Sequence, residues 1–181
     1  MLTQTKILLT GAAGTLGTSI RQTADDSVEI VGVDIQPGED ASIQEGSFTD
    51  AARMRELMQG CDAVIHTAAL HGGCMETHTP TQFAEVNVGG LVTLLELCIE
   101  LNVRRFVFSS TIEVLLGRTW DASGLSVVDE TSPARPDWIY PLTKLQGELA
   151  GGYYHKHFDI EFVALRYMYF YSDEPEINYM S

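Results

Sequence analysis

The chain has 181 residues, 45% of them hydrophobic and 20% charged, a mixture that excludes a disordered chain and suffices for one domain, 1–181, with a sizeable core. A formal net charge of -14 at pH 7 speaks against nucleic acid and anionic membranes as partners, because both would be repelled. Cys61, Cys74 and Cys98 are odd in number and lack CxxC spacing, so they read as reduced thiols of a cytoplasmic protein; the N-terminus shows no secretory leader, and no apolar run reaches membrane-spanning length.

Strand and helix signals alternate along the chain. Residues 6–10 read as a buried strand that runs into a glycine-rich turn, with a helix from Thr15. Residues 28–34 are a second apolar strand. A short helix over 51–59 is stopped by Gly60, and 62–67 is a further strand. A long helix is expected over 81–101, a strand over 104–109, a loop rich in Gly, Ser and Pro over 117–137, a helix over 140–157 and a strand over 160–166. Short apolar strands separated by helices predict an α/β fold of the Rossmann type: a doubly wound parallel sheet with helices on both faces. The acidic tail 173–176 reads as a surface segment.

The first strand ends in Gly11-Ala12-Ala13-Gly14-Thr15-Leu16-Gly17, a GxxGxxG turn opening a helix. Glycines there permit a tight turn and close backbone approach, and the helix start offers free N–H groups to a pyrophosphate. Asp34 closes the second strand 20 residues after Gly14, where an acid grips ribose hydroxyls. Ile35 and Gln36 follow, with no cation for a 2′-phosphate, so the expected cofactor is NAD rather than NADP.

Six further segments, in order, give the chain a resemblance to the extended short-chain dehydrogenase/reductases, the NAD-dependent epimerase/dehydratase group. They are Gly46-Ser47-Phe48-Thr49-Asp50, resembling GDxxD with Ser47 in place of the acid; His66-Thr67-Ala68-Ala69, resembling HxAA; Asn87-Val88-Gly89-Gly90, resembling NVxGT; Ser109-Ser110-Thr111; the loop Glu130, Pro133 and Pro136, resembling ExxPxxP; and Tyr140-Pro141-Leu142-Thr143-Lys144, resembling YxxxK. The resemblance implies that Gly11, Gly14, Thr15, Leu16, Gly17, Asp34, Ile35, Ser47, Phe48, Thr67, Ala68, Ala69, Asn87, Ser109, Tyr140, Lys144 and Tyr167 line the cofactor. It implies that Thr111, Tyr140 and Lys144 are catalytic, with Thr111 holding the substrate oxygen. Residues four apart share a helix face, so the Lys144 ammonium is expected near the Tyr140 phenol, lowering its pKa toward the working range.

The chain departs from the family pattern in three places. Thr111-Ile112-Glu113 stands where sugar dehydratases carry Thr-Asp-Glu, and Ile112 exchanges no proton, which disfavours dehydration. Tyr169 and Ser172 replace the Asn and Gly of RYxNxYG in the segment from Arg166. The C-terminal substrate domain is expected to be largely absent after Ser181, leaving an open site that excludes water poorly. The leading expectation is therefore an NAD-dependent oxidoreductase or epimerase acting on a small, sugar-like substrate; a non-catalytic NAD-binding module is the alternative.

His71, Cys74 and His78 lack a fourth ligand, so no metal is expected and substrate-loop contacts are favoured. His66 is expected to pack beneath the cofactor, and Trp120 and Trp138 to anchor the long loop or line the substrate mouth. The helix over Leu91, Leu94, Leu95, Leu97, Cys98, Ile99 and Leu101 is apolar over much of its circumference. Either deep burial in one subunit or a homodimer through it and the Tyr140 helix, as the resemblance implies, accounts for that.

Overall fold

The computed structural model describes residues 4–116, 128–129 and 131–168. Its centre is a six-stranded parallel sheet in the order β3-β2-β1-β4-β5-β6. In chain order the elements are β1 (Thr5–Thr10), α1 (Thr15–Thr23), β2 (Val28–Asp34), β3 (Ile43–Glu45), α2 (Ala51–Leu57), β4 (Ala63–His66), α3 (Pro80–Phe83), a π-helical stretch (Ala84–Gly89), α4 (Gly90–Leu101), β5 (Arg105–Thr111), α5 (Glu113–Leu116), α6 (Ile139–Phe158) and β6 (Glu161–Tyr167). The strand order reverses between β1 and β4. In such sheets the crevice at the carboxyl ends of those strands is where ligands bind.

Alternation along β1 shows how the layers form. Leu8 enters a large core with Met54 and Met58 from the α2 region, Leu91, Leu94 and Leu95 of α4, Phe106 and Phe108 of β5, and Tyr154 of α6. Leu9 points the other way, into a small core with Ala12, Ile43 and Ile20 of α1. Among the described residues, helices therefore cover both faces, as expected, but unevenly: α2, α4 and α6 on one, α1 on the other. On the second face Val163 and Leu165 of β6 stay exposed.

The apolar helix gains its explanation from this core. Leu91, Leu94, Leu95, Leu97 and Cys98 are all buried within the one chain, while Ile99 faces outward. The exposed apolar stripe lies instead on α6, at Leu142, Leu149 and Tyr153.

Several expectations need correction. The helix expected over 81–101 starts at Pro80, where Thr79 and Gln82 form a reciprocal cap, and it widens into π geometry at Ala84–Gly89. The helix after Asp50 ends at Leu57, two residues before the expected limit. Two elements fall in segments for which no element is expected: β3, which has one buried residue, Ile43, and α5, which spans Glu113–Leu116.

α6 lies unusually close to the sheet. A Cβ on Gly147 would meet Phe108 Cζ at 2.7 Å, and one on Gly151 would stand 2.0 Å from Phe162 Cζ. These glycines, one helical turn apart, let the helix settle onto the stacked rings of Phe106, Phe108 and Phe162. The depth of that contact fixes how far Lys144, on the same helix, reaches into the protein.

Candidate functional site

The turn after β1 is built around two tight approaches. Gly11 adopts φ +73, and a Cβ there would collide with Thr67 Oγ1 at 2.6 Å and Ala68 N at 2.7 Å. A Cβ on Gly17 would strike Gly11 O at 2.1 Å, so only glycine lets α1 start directly above the turn. Gly14 caps α1 with no side-chain hydrogen bond and no acid in the first turn. The amides at the helix start, from Thr15 to Gly17, are thus left to an anion, with the positive end of the helix behind them.

Asp34 stands beside this turn at the end of β2. Its Oδ2 accepts from Ala13 N at 3.1 Å and its Oδ1 from Gln36 N at 3.0 Å, which holds the carboxylate at the rim. Ile35 next to it is 63% exposed, an apolar surface without an internal partner. Arg21 is engaged by Ala12 O and paired to the Asp40 carboxylate, so it offers no free charge to a 2′-phosphate. Ser47 turns its hydroxyl to Thr49. Phe48 is buried edge-on against His66 and packs over Gly90.

β4 delivers the next segment. Thr67 Oγ1 donates to Thr10 O at 2.7 Å, locking the two strand ends together, and Ala68 N donates to Thr10 Oγ1 at 3.5 Å. Ala69 follows, half-buried. His66 is fully buried among Phe48, Phe106 and Phe108, with Nδ1 and Thr10 Oγ1 2.7 Å apart. Burial, with the nearby Lys144 charge second, pushes its pKa down to about 3, so the imidazole is neutral and structural.

Asn87 has a role that the motif alone did not reveal. Its Oδ1 accepts from Leu70 N at 2.8 Å, and its Nδ2 donates to Leu70 O at 2.9 Å and to Thr143 Oγ1 at 3.0 Å. Thr143 in turn donates to Tyr140 O at 2.8 Å. This chain ties the loop after β4 to the first turn of α6. The only sequence signal for Thr143 was its place between Tyr140 and Lys144. His71, the first residue of the loop cluster, accepts from Gly73 N, while Cys74 sits in a short 3-10 turn and His78 pairs with Thr77. Gly72 in that loop lies against Trp138, whose ring centre is 5.4 Å from that of Tyr140.

Of the three expected catalytic residues, Thr111 ends β5, while Lys144 lies beside Tyr140 in the first turns of α6 and reaches the β5 backbone at Ser109. Thr111 is buried and its Oγ1 accepts from Glu113 N at 3.2 Å, which leaves its hydroxyl proton free to donate elsewhere. Lys144 is 2% exposed, and its Nζ donates to Ser109 O at 2.7 Å, 4.8 Å from the Phe108 ring centre and 5.7 Å from that of Tyr140. The expectation of a lowered Tyr140 pKa is corrected here. Burial, reinforced by the Glu113 carboxyl, pushes the phenol up to about 12. The same burial pushes Lys144 down to about 7. At this depth desolvation disfavours the charged form of both groups. Tyr167 ends β6 in register with Thr111, its carbonyl accepting from Ile112 N at 2.8 Å. Glu130, Trp120, Tyr169, Ser172 and the tail at 173–176 lie outside the described residues.

Comparison with known proteins agrees with this geometry. The model of the NAD dependent epimerase/dehydratase family matches residues 7–180. A uronate dehydrogenase of Pseudomonas putida is 29% identical over 167 residues, covering 89% of this chain and 59% of its own. An uncharacterized epimerase/dehydratase of Staphylococcus aureus is 30% identical over 173 residues, covering 90% and 52%. Among solved structures, a short-chain dehydrogenase/reductase superfamily protein of Agrobacterium tumefaciens with bound NAD superposes with TM-score 0.74 at 29% identity, over 89% of this chain and 48% of that one. A UDP-glucose 4-epimerase of Brucella ovis in complex with NAD gives TM-score 0.77 at 27% identity, over 91% and 52%. The chain spans about half the length of the relatives it matches. The glycine turn, the uncapped α1 start and the Asp34 rim fit NAD, and with the match over 7–180 they place this chain in the NAD-dependent epimerase/dehydratase family.

Proposed function

We propose that this chain is the cofactor-binding and reacting part of an NAD-dependent oxidoreductase or epimerase acting on a hydroxyl or carbonyl carbon of a small, sugar-like substrate. The observation that carries the reading is Lys144 buried beside Tyr140 and bonded to Ser109 O on β5, the strand that Thr111 ends. NAD, when bound, supplies the hydride acceptor. The amides of Thr15, Leu16 and Gly17 hold its pyrophosphate and Asp34 its adenosine ribose, with Ile35, Ser47 and Phe48 on the adenine side. Thr67, Ala68, Ala69, Ser109 and Tyr167 line the remainder, and Asn87 shapes that wall through Leu70.

Thr111 donates its free hydroxyl proton to the reacting oxygen. Tyr140, protonated over the ordinary pH range, gives its proton to a carbonyl oxygen in the reducing direction. In the oxidising direction it must first lose that proton, which calls for added positive charge nearby. Lys144, held by Ser109 O, fixes the geometry and adds charge when protonated. Tyr140→Phe should reduce turnover by at least about a hundredfold with NAD affinity nearly unchanged, as loss of a general acid–base group typically costs a hundredfold or more. Wild-type turnover by that variant refutes the assignment.

For assembly, the exposed stripe Leu142, Leu149 and Tyr153 on α6 supports a homodimer formed through this helix.

A further inference from the structure

Glu113 has an unfilled hydrogen-bonding requirement inside the site. It opens α5 directly after β5, its amide fixed on Thr111 Oγ1 at 3.2 Å. Among the described residues, its Oε2 is the buried side-chain oxygen without a hydrogen-bond partner. Native proteins rarely leave such an atom unpaired unless a ligand or water supplies the donor. The carboxyl interacts electrostatically with the Tyr140 phenol and with Asp137, and α5 packs against α6. Among the described residues, two cations of this region are engaged elsewhere: Lys144 donates to Ser109 O, and Arg166 is held by both oxygens of Glu148.

We propose that Glu113 contacts the substrate, its unpaired oxygen accepting a hydrogen bond from a hydroxyl beside the reacting carbon, so that the site takes a neutral polyol and discriminates against a carboxylate at that position. The inference rests on the reading of Thr111 and Tyr140 as the groups at the reacting oxygen. A hydroxyl supplies the donor that Oε2 lacks. An ionised carboxylate has only acceptors, and it sets a further negative charge beside Glu113 and Asp137. The expected preference thus departs from the uronate dehydrogenase of Pseudomonas putida, whose name implies an acidic sugar.

The test compares matched probes, D-glucose with D-glucuronate and UDP-glucose with UDP-glucuronate, on the full chain loaded with NAD at pH 8. Binding is read from tryptophan fluorescence, since Trp138 adjoins Tyr140, and turnover from NADH formation. The neutral member of a pair should bind about tenfold or more tightly than the acidic one, because like charges in contact are costly. Glu113→Gln, which keeps size and an acceptor, should erase that ratio by strengthening the acid, while Glu113→Ala weakens the neutral member. Unchanged NAD affinity and melting temperature show that the variants are folded. A wild-type preference for the acid, equal affinities, an unchanged ratio in Glu113→Gln, or no binding of any probe overturns the proposal. Discrimination that persists in a chain with no turnover refutes the redox reading and retains this one.

Discussion

Two adjacent glycines in α6 offer a controlled test of how packing depth sets the site. Gly151 and Gly152 share one helix and the same intrinsic propensity, but their surroundings are opposite. A Cβ on Gly152 meets nothing within 4 Å, whereas a Cβ on Gly151 would stand 2.0–2.3 Å from three atoms of the Phe162 ring. Gly152→Ala should therefore stabilise the chain by roughly 0.5–1 kcal/mol, the ordinary gain of alanine over glycine inside a helix. Gly151→Ala receives the same propensity gain but forces the helix off the ring or the ring out of its stack, an overpacking cost of about 1–3 kcal/mol or more. At roughly 2–4 °C per kcal/mol for a chain of this size, the two variants should melt on opposite sides of wild type, separated by several degrees. Lifting α6 by even about 1 Å also displaces Tyr140 and Lys144, and a misplacement of that size can cost about a hundredfold in rate. Thermal unfolding by circular dichroism, alongside NADH-coupled turnover, reads both effects. A Gly151→Ala protein that melts at or above Gly152→Ala would show that the close approach of α6 to Phe162 is not what seats the helix.

The remaining expectations concern charge and assembly. Asp34 should make NAD bind at least about tenfold more tightly than NADP, because a 2′-phosphate would meet a carboxylate with no free cation beside it; calorimetric titration showing equal or tighter NADP binding contradicts this. Lys144 is pushed from 10.5 down to about 7, so between those values the unfolded chain holds a proton that the folded chain lacks, and this group makes stability rise with pH. From pH 7 to 9 the wild type should gain up to about 2 kcal/mol relative to Lys144→Met in paired denaturant titrations, and parallel curves for the two proteins would refute the buried-lysine account. Leu149→Glu, on the exposed stripe of α6, should convert a dimer to a monomer in light scattering; a wild type that is monomeric at micromolar concentration removes the basis for that interface.

The parts of the fold that could be read from the sequence were those carried by local pattern. β2 runs over the residues its apolar run marks out, and the helix holding Tyr140 extends one residue further at each end than its pattern suggests. β3 escaped notice because three residues with one buried side chain present no alternation, and α5 because a four-residue helix has no period. The glycine turn and Asp34 were legible for a related reason: a tight turn and a strand-end acid at fixed spacing leave a local signature. Asn87 was legible as a motif but not in its action, because Leu70 and Thr143 are brought to it only by the fold. Spacing likewise placed Lys144 near Tyr140. It carried no information on depth, and depth sets the protonation of both.

The π-helical stretch bears on how this chain tolerates a change in its length. A turn closed by i→i+5 hydrogen bonds holds one residue more than the α-turns around it. Most helices lose their register when a residue is deleted, since every side chain before the cut rotates away from its face. Between Ala84 and Gly89 the backbone has slack: removing one residue lets the wide turn relax to ordinary α geometry, and the helical backbone stays continuous from Pro80 to Leu101. What the deletion destroys is the aim of Asn87, and with it the latch between the loop after β4 and the first turn of α6. A relative with a single gap in this segment would keep the fold and need another means of tying that loop down.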